Sequence, residues 1–189
     1  MSRPHVSSWQ GFVPTIYVFL VFNSQDVDAR DQPGHDGASL TQPPFSFRRY
    51  TPADEDAAIA LWLRTWTEAY PDIDFAQRAA AWRLRWRSEL APAARITLAE
   101  RNGRLAGFVT VDATGYLDQL VVDPDLWGSE LGNALIAEAK RLSPDGLTLL
   151  VNTDNARAIR FYTRNGFVHT HDDVNPVSGR KVYGMKWAP

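Results

Sequence analysis

The segment Pro124-Asp125-Leu126-Trp127-Gly128-Ser129-Glu130-Leu131-Gly132 runs from the apolar residues Leu120, Val121 and Val122 into a helical pattern. The first N–H groups of a helix have no acceptor inside it, and the aligned peptide dipoles add a partial positive charge at that end. Such a terminus holds an anion, so a pyrophosphate can sit there with few or no lysines. Any strand-to-helix turn offers some of this, so the segment needs a second unit beside it. One follows: the run Leu147, Leu149, Leu150, Val151 leads through a polar corner into helix spacing at Ala158, Ile159 and Tyr162. Asn155 suits the N-cap of that helix and Gly166 its C-terminal stop. His169 and His171 alternate on one strand beside Asp172, but two histidines without a third ligand do not make a metal site, and none is expected.

The elements that must position these units can be placed from periodicity. Phe45 to Arg49 reads as a strand, and Thr51-Pro52-Ala53-Asp54 opens a helix with Thr51 as N-cap and Pro52 in the first turn. Ile59, Trp62, Trp66 and Tyr70 lie on one side of it. A second helix, Phe75 to Leu90, carries Trp82 and Trp86. Strands Ile96 to Glu100 and Leu105 to Asp112 flank Asn102-Gly103, a tight hairpin signal. Tyr116 to Val122 is the next strand, Ser129 to Leu142 a helix and Thr148 to Asn152 a strand. Phe167 to Thr170 and Lys181 to Trp187 complete an α/β domain with a mixed sheet.

The 189 residues, 44% of them hydrophobic, suit a single core. A net charge of −2 supplies no basic field for nucleic acid. With no cysteine, thiol nucleophiles, disulfides and Cys-based zinc sites are excluded, and a reducing cytoplasm is the expected location. Residues 23–44 are polar and rich in turn formers, and read as a flexible linker. Upstream, Phe12 to Phe22 is apolar but roughly half of the ~20 residues a bilayer crossing needs, so no membrane span is expected. The chain thus divides into an extension, 1–44, and a domain, 45–189.

Asn155, Ala158, Phe161, Tyr162, Gly166 and Phe167 fall at the spacing N-x-x-A-x-x-F-Y-x-x-x-G-F, and Leu120 to Ile136 precedes them in the right order. The two segments together resemble the GCN5-related N-acetyltransferase (GNAT) family over residues 45–189. The resemblance implies a mostly antiparallel sheet of about seven strands with a splayed central pair, flanked by about four helices. It implies that acetyl-CoA binds in that splay. Leu120, Val121 and Val122 would give main-chain contacts; Trp127, Gly128, Ser129, Glu130, Leu131, Gly132 and Asn133 would form the acyl-CoA loop. Asn155, Ala158, Phe161 and Tyr162 would complete the cofactor site.

The loop departs from the family pattern R/Q-x-x-G-x-G/A at Trp127 and Glu130. A carboxylate ~6 Å from a phosphate charge costs up to about 3 kcal/mol at an effective dielectric of 20. Glu130 is therefore expected on the outer face of the helix, complementing its dipole; facing the phosphates, it would suit a non-catalytic CoA-sensing or interaction module instead.

Aminolysis of a thioester needs a neutral amine, and a lysine-like amine is only about one part in two thousand neutral at pH 7. Asp118 is the carboxylate expected to take the proton or orient the amine, with Glu100 second. It shares the strand alternation of Leu120 and Val122. Tyr162 resembles the family's general acid for the departing thiolate. The resemblance places the acceptor between the helical pair and the last strands, with Trp62, Trp66, Tyr70 and Asp72 as its walls. The expected partner is a small-molecule or peptide amine, and the resemblance admits a homodimer.

Overall fold

The computed structural model describes residues 45–71, 73–175 and 179–189. Phe12 to Phe22, the linker 23–44 and Asp72 lie outside the described residues. The elements are β1 (Ser46–Arg49), α1 (Glu55–Ala69), α2 (Ala79–Arg85), β2 (Ala94–Arg101), β3 (Arg104–Asp112), β4 (Leu117–Val122), α3 (Leu131–Leu142), β5 (Leu147–Asn152), α4 (Ala156–Arg164), β6 (Val168–Val174) and β7 (Lys181–Trp187). α2 runs on through a π turn, Trp86–Leu90, and one more α turn, Ala91–Ala93.

The strands form two antiparallel sheets, ordered β1-β2-β3-β4 and β5-β7-β6. One parallel bridge, Tyr116 to Thr148, joins them, reinforced by the Thr148 N–H donating to the Gly115 carbonyl at 2.9 Å. Beyond that vertex β4 and β5 part, which is the splay at its fullest: two sheets sharing a corner. The corner requires glycine. Gly115 has φ +81°, and a Cβ there would stand 2.6 Å from the Gly146 carbonyl oxygen and 2.7 Å from Ser143 Oγ.

β4 separates two cores. Leu120 and Val122 pack with Leu131 and Leu135 of α3 and with Phe161 and Tyr162 of α4. Val121 joins the opposite cluster, where Trp62, Trp66, Phe75, Trp82 and Trp86 bury α1 and α2 against Leu98 and Phe108. α1 begins at a clasp in which the Asp54 carboxylate accepts from Arg48 and from the Thr51 N–H. Arg83 and Arg87 of the second helical segment reach back to Glu55 at 2.5 and 2.8 Å.

The C-terminal half of α1 spans the mouth of the splay. Thr65 Oγ1 donates to the Val122 carbonyl of β4 at 3.3 Å, and Tyr70, at the helix end, hydrogen-bonds Asn152 of β5. Helix and parted strands thus enclose a wedge.

Candidate active site

One edge of β4 faces the wedge, with Leu120 and Val122 buried along it. The Asp123 N–H donates to the Ala106 carbonyl at 2.8 Å, which fixes the phase of the β3–β4 ladder. By alternation Val121 turns its main-chain groups to β3, while Leu120 and Val122 turn theirs to the wedge. Of the three strand residues expected to give main-chain contacts, two therefore face the cleft. The Val122 carbonyl on that edge is occupied: it accepts from Trp127 Nε1 at 3.0 Å as well as from Thr65 Oγ1.

The loop after β4 is a series of tight turns. The Asp123 carboxylate accepts from the Asp125 N–H at 3.0 Å, and Arg64 of α1 pairs with Asp123 from outside. Gly128 then takes φ +85°, a left-handed conformation that lets the chain swing into α3. Ser129 Oγ accepts from the Leu131 N–H at 3.3 Å, leaving the N–H groups of Gly132 and Asn133 at the first turn without an intrahelical acceptor. Glu130 is exposed, and its carboxylate accepts from Asn133 Nδ2 at 3.1 Å. Asn133 Oδ1 in turn accepts from Asn165 Nδ2 at the end of α4. This arrangement holds the negative charge against the side of its own helix.

On the other wall, Asn155 caps α4, its Oδ1 accepting from the Ala158 N–H at 2.9 Å. Its Nδ2 donates to no described residue. Ala158 and Phe161 are buried on the same helix face, and Tyr162 is fully buried between Phe161 and Phe167. The Tyr162 hydroxyl has no hydrogen-bond partner among the described residues. Burial, with a smaller contribution from the Tyr116 phenol at the vertex, pushes the Tyr162 phenol well above its ordinary range. It keeps its proton across the physiological range. A buried hydroxyl without a partner costs about 1–3 kcal/mol, a cost that a ligand atom accepting its hydrogen bond removes.

Asp118 corrects its expected place in the strand alternation. β3 and β4 pair Thr110 with Gln119 and Val111 with Leu117, so Asp118 is the extra residue of a β-bulge. The bulge turns its side chain away from the face of Leu120 and Val122 and toward α2. There Arg85 grips it with two hydrogen bonds, Nη2 to Oδ2 at 2.5 Å and Nη1 to Oδ1 at 3.2 Å, and Gln119 Nε2 adds a third at 2.7 Å. Both partners are buried, and the guanidinium lies 5.1 Å from the Trp82 ring centroid. Arg85 is a site residue that the motifs do not mark. Its signal is a charged residue on the apolar stripe of Trp82 and Trp86.

Glu100 is not at the wedge. It lies on β2, two strands from β4, and pairs with Arg48 at 2.7 Å. Trp62 is fully buried and stacked on Trp82 at 4.5 Å, a core position. Trp66 is 4% exposed and stacks on the partly exposed Tyr70 at 6.0 Å, with the Arg180 guanidinium 5.6 Å from the Tyr70 ring. His169 Nε2 contacts Asp172 at 2.8 Å on the exposed β6. Among the described residues no helix is long and apolar enough to cross a membrane.

The wedge thus brings together an edge of β4 that pairs with no strand among the described residues, the N-termini of α3 and α4, and the buried Tyr162 phenol. The family model described as Acetyltransferase (GNAT) family matches residues 56–167. A peptidyl-lysine N-acetyltransferase, YjaB of Salmonella typhimurium, is 31% identical over 124 residues, 65% of this chain and 83% of that protein. A mycothiol acetyltransferase of Acidimicrobium ferrooxidans is 32% identical over 158 residues, and the match spans 49% of that protein. The solution structure of apo YjaB from Escherichia coli superposes with a TM-score of 0.61 at 26% identity, covering 76% of this chain and 97% of that one. The chain belongs to the acetyltransferase (GNAT) family and is an N-acetyltransferase that draws its acetyl group from acetyl-CoA.

Proposed function

We propose that the wedge between β4 and β5 is the acetyl-transfer site, that Tyr162 is its general acid, and that the acceptor is a primary amine on a flexible chain such as a lysine side chain. The observation that carries this reading is the Tyr162 hydroxyl, buried, protonated and without a partner among the described residues. Leu120 on the free edge of β4 offers an N–H to the acetyl oxygen, where negative charge develops. Gly132 and Asn133 offer theirs to the pyrophosphate, and Asn155 offers Nδ2. As the amine nitrogen bonds to the acetyl carbon and the C–S bond breaks, Tyr162 donates its proton to the sulfur; the proton that the amine nitrogen gives up leaves through water to solvent, and the phenolate takes one back from the same source.

Asp118 suits the amine-orienting role rather than a mobile one. Arg85 and Gln119 fill three of its roughly four lone-pair sites and hold the carboxylate rigid, leaving one on Oδ2 for the amine. Trp66 and Tyr70 form the rim past which the acceptor enters, with Asp154 and Arg180 paired beside them at 3.3 Å. The lysine reading takes support from the peptidyl-lysine relative, most of whose length this chain matches. Absence of cysteine in the sequence and a net charge of −2 support a cytoplasmic reaction on a partner other than nucleic acid.

Release of CoA thiol, followed with a lysine-containing peptide and with its lysine-to-norleucine counterpart, tests the reading. CoA release matched one-to-one by acetylation of the lysine amine is expected, with no release above background for the norleucine peptide. Equal release with both peptides, or transfer to a hydroxyl alone, would refute it.

A further inference from the structure

The Val122 carbonyl is a meeting point that the family motif does not assign. It receives the Trp127 indole N–H from the loop after β4 at 3.0 Å and the Thr65 hydroxyl from α1 at 3.3 Å. A carbonyl oxygen has two lone pairs, so these two donors fill it. Val122 and Thr65 are each 2% exposed, and Trp127 packs against the Leu120 and Val122 core. The loop between carbonyl and indole is wound in turns: the Leu126 N–H donates to the Asp123 carbonyl, and the Trp127 N–H to the Pro124 carbonyl. The indole closes this winding back onto the strand just before Gly128 turns the chain into α3.

We infer that Trp127 and Thr65 are positioning residues for acetyl-CoA, acting together through the Val122 carbonyl to set the acyl-CoA loop and the free edge of β4. Two consequences follow for recognition. Trp127, standing where the family pattern has arginine or glutamine, contributes through its side-chain donor and not only through its backbone. The Val122 carbonyl is closed to the pantetheine arm, so Leu120 supplies the strand's carbonyl acceptor, while Val122 offers its N–H alone.

The inference rests on the wedge being the acetyl-CoA site, and titration of the wild type with acetyl-CoA checks that separately. Trp127→Phe removes the indole donor and keeps an aromatic ring; Thr65→Val removes the hydroxyl at nearly constant shape. Each is expected to raise the Kd and KM for acetyl-CoA about fivefold, the loss of one net hydrogen bond, with a smaller change in kcat. Trp127→Arg and Thr65→Ser restore a donor and are expected to return KM to within about twofold of the wild type. Melting temperatures of all four are measured alongside. Unchanged affinity in Trp127→Phe and Thr65→Val, or a KM that rises only where the melting temperature falls, overturns the inference. Absence of acetyl-CoA binding by the wild type would instead remove the assignment of the wedge.

Discussion

Tyr162→Phe lowers kcat by about a hundredfold or more while acetyl-CoA still binds, its Kd raised by no more than one net hydrogen bond is worth, about tenfold. General acid catalysis contributes roughly 10²–10⁴ in rate, and phenylalanine keeps every packing contact of the ring with Phe161 and Phe167. The hydroxyl has no partner among the described residues, so its removal leaves no broken hydrogen bond. The variant should therefore be at least as stable as the wild type in urea denaturation, the reverse of what loss of a satisfied buried hydroxyl does. Loss of rate with stability kept separates a chemical role from a core tyrosine. The pH dependence adds a second check. Burial raises the Tyr162 phenol, so the proton it donates stays in place as pH rises, and kcat should show no alkaline fall from this group below about pH 10. Stopped-time assays of CoA release between pH 7 and about pH 10 read this directly.

Breaking the Arg85–Asp118 pair is the largest expected effect on stability. Arg85→Met leaves the Asp118 carboxylate buried in the bulge with Gln119 as its remaining partner among the described residues, and losing one partner of a buried pair costs about 3–5 kcal/mol. Replacing both, Arg85→Met with Asp118→Leu, removes the uncompensated charge and is expected to recover most of that loss. Activity should not follow. Without the carboxylate the amine loses its orienting group, so the double variant folds yet shows a raised KM for the amine and an unchanged Kd for acetyl-CoA. Urea denaturation and steady-state kinetics on the two variants check the pair of outcomes; a double variant with wild-type kinetics would reduce the ion pair to a structural tie.

Much of this site is written locally in the chain. Asn155 with Gly166, Thr51 with Pro52, and Asn102 with Gly103 each mark their own turn or cap through short-range hydrogen bonding and backbone preference, and the helices and strands begin and end close to them. The two strand-to-helix units are contiguous in sequence, so their placement follows from hydrophobic period alone. What escaped the sequence depends on residues far apart in it. The bulge at Asp118 is a mismatch of register between two strands, and neither strand shows it alone. Alternation counted through a bulge comes out inverted, which is why Asp118 faces Arg85 on α2 and not the side of Leu120.

For Trp127 and Trp62 the local sequence does not decide how the indole is used. An indole has one donor and a large apolar body, and which of the two matters depends on what packs against it. Trp127 lies in a loop, where a backbone role is the economical expectation, yet its N–H ties the loop to β4. Trp62 lies on a helix facing the acceptor side, yet stacking with Trp82 withdraws it into the core and leaves Trp66 and Tyr70 at the rim. The parting of the sheets at Tyr116 and Thr148 was implied by the family resemblance and by no local pattern, because it depends on a glycine corner packed against the turn after α3.

Acetyl-CoA bound in the wedge between β4 and β5 would cover main-chain amides of β4, the following loop and the start of α4. Hydrogen–deuterium exchange with and without saturating acetyl-CoA measures it most directly, because the N–H groups assigned to the ligand are main-chain amides. Slower exchange is predicted for peptides covering residues 117–133 and 155–162, with β6 unchanged. Protection confined to other elements, or none at saturating acetyl-CoA, would place the cofactor outside the wedge.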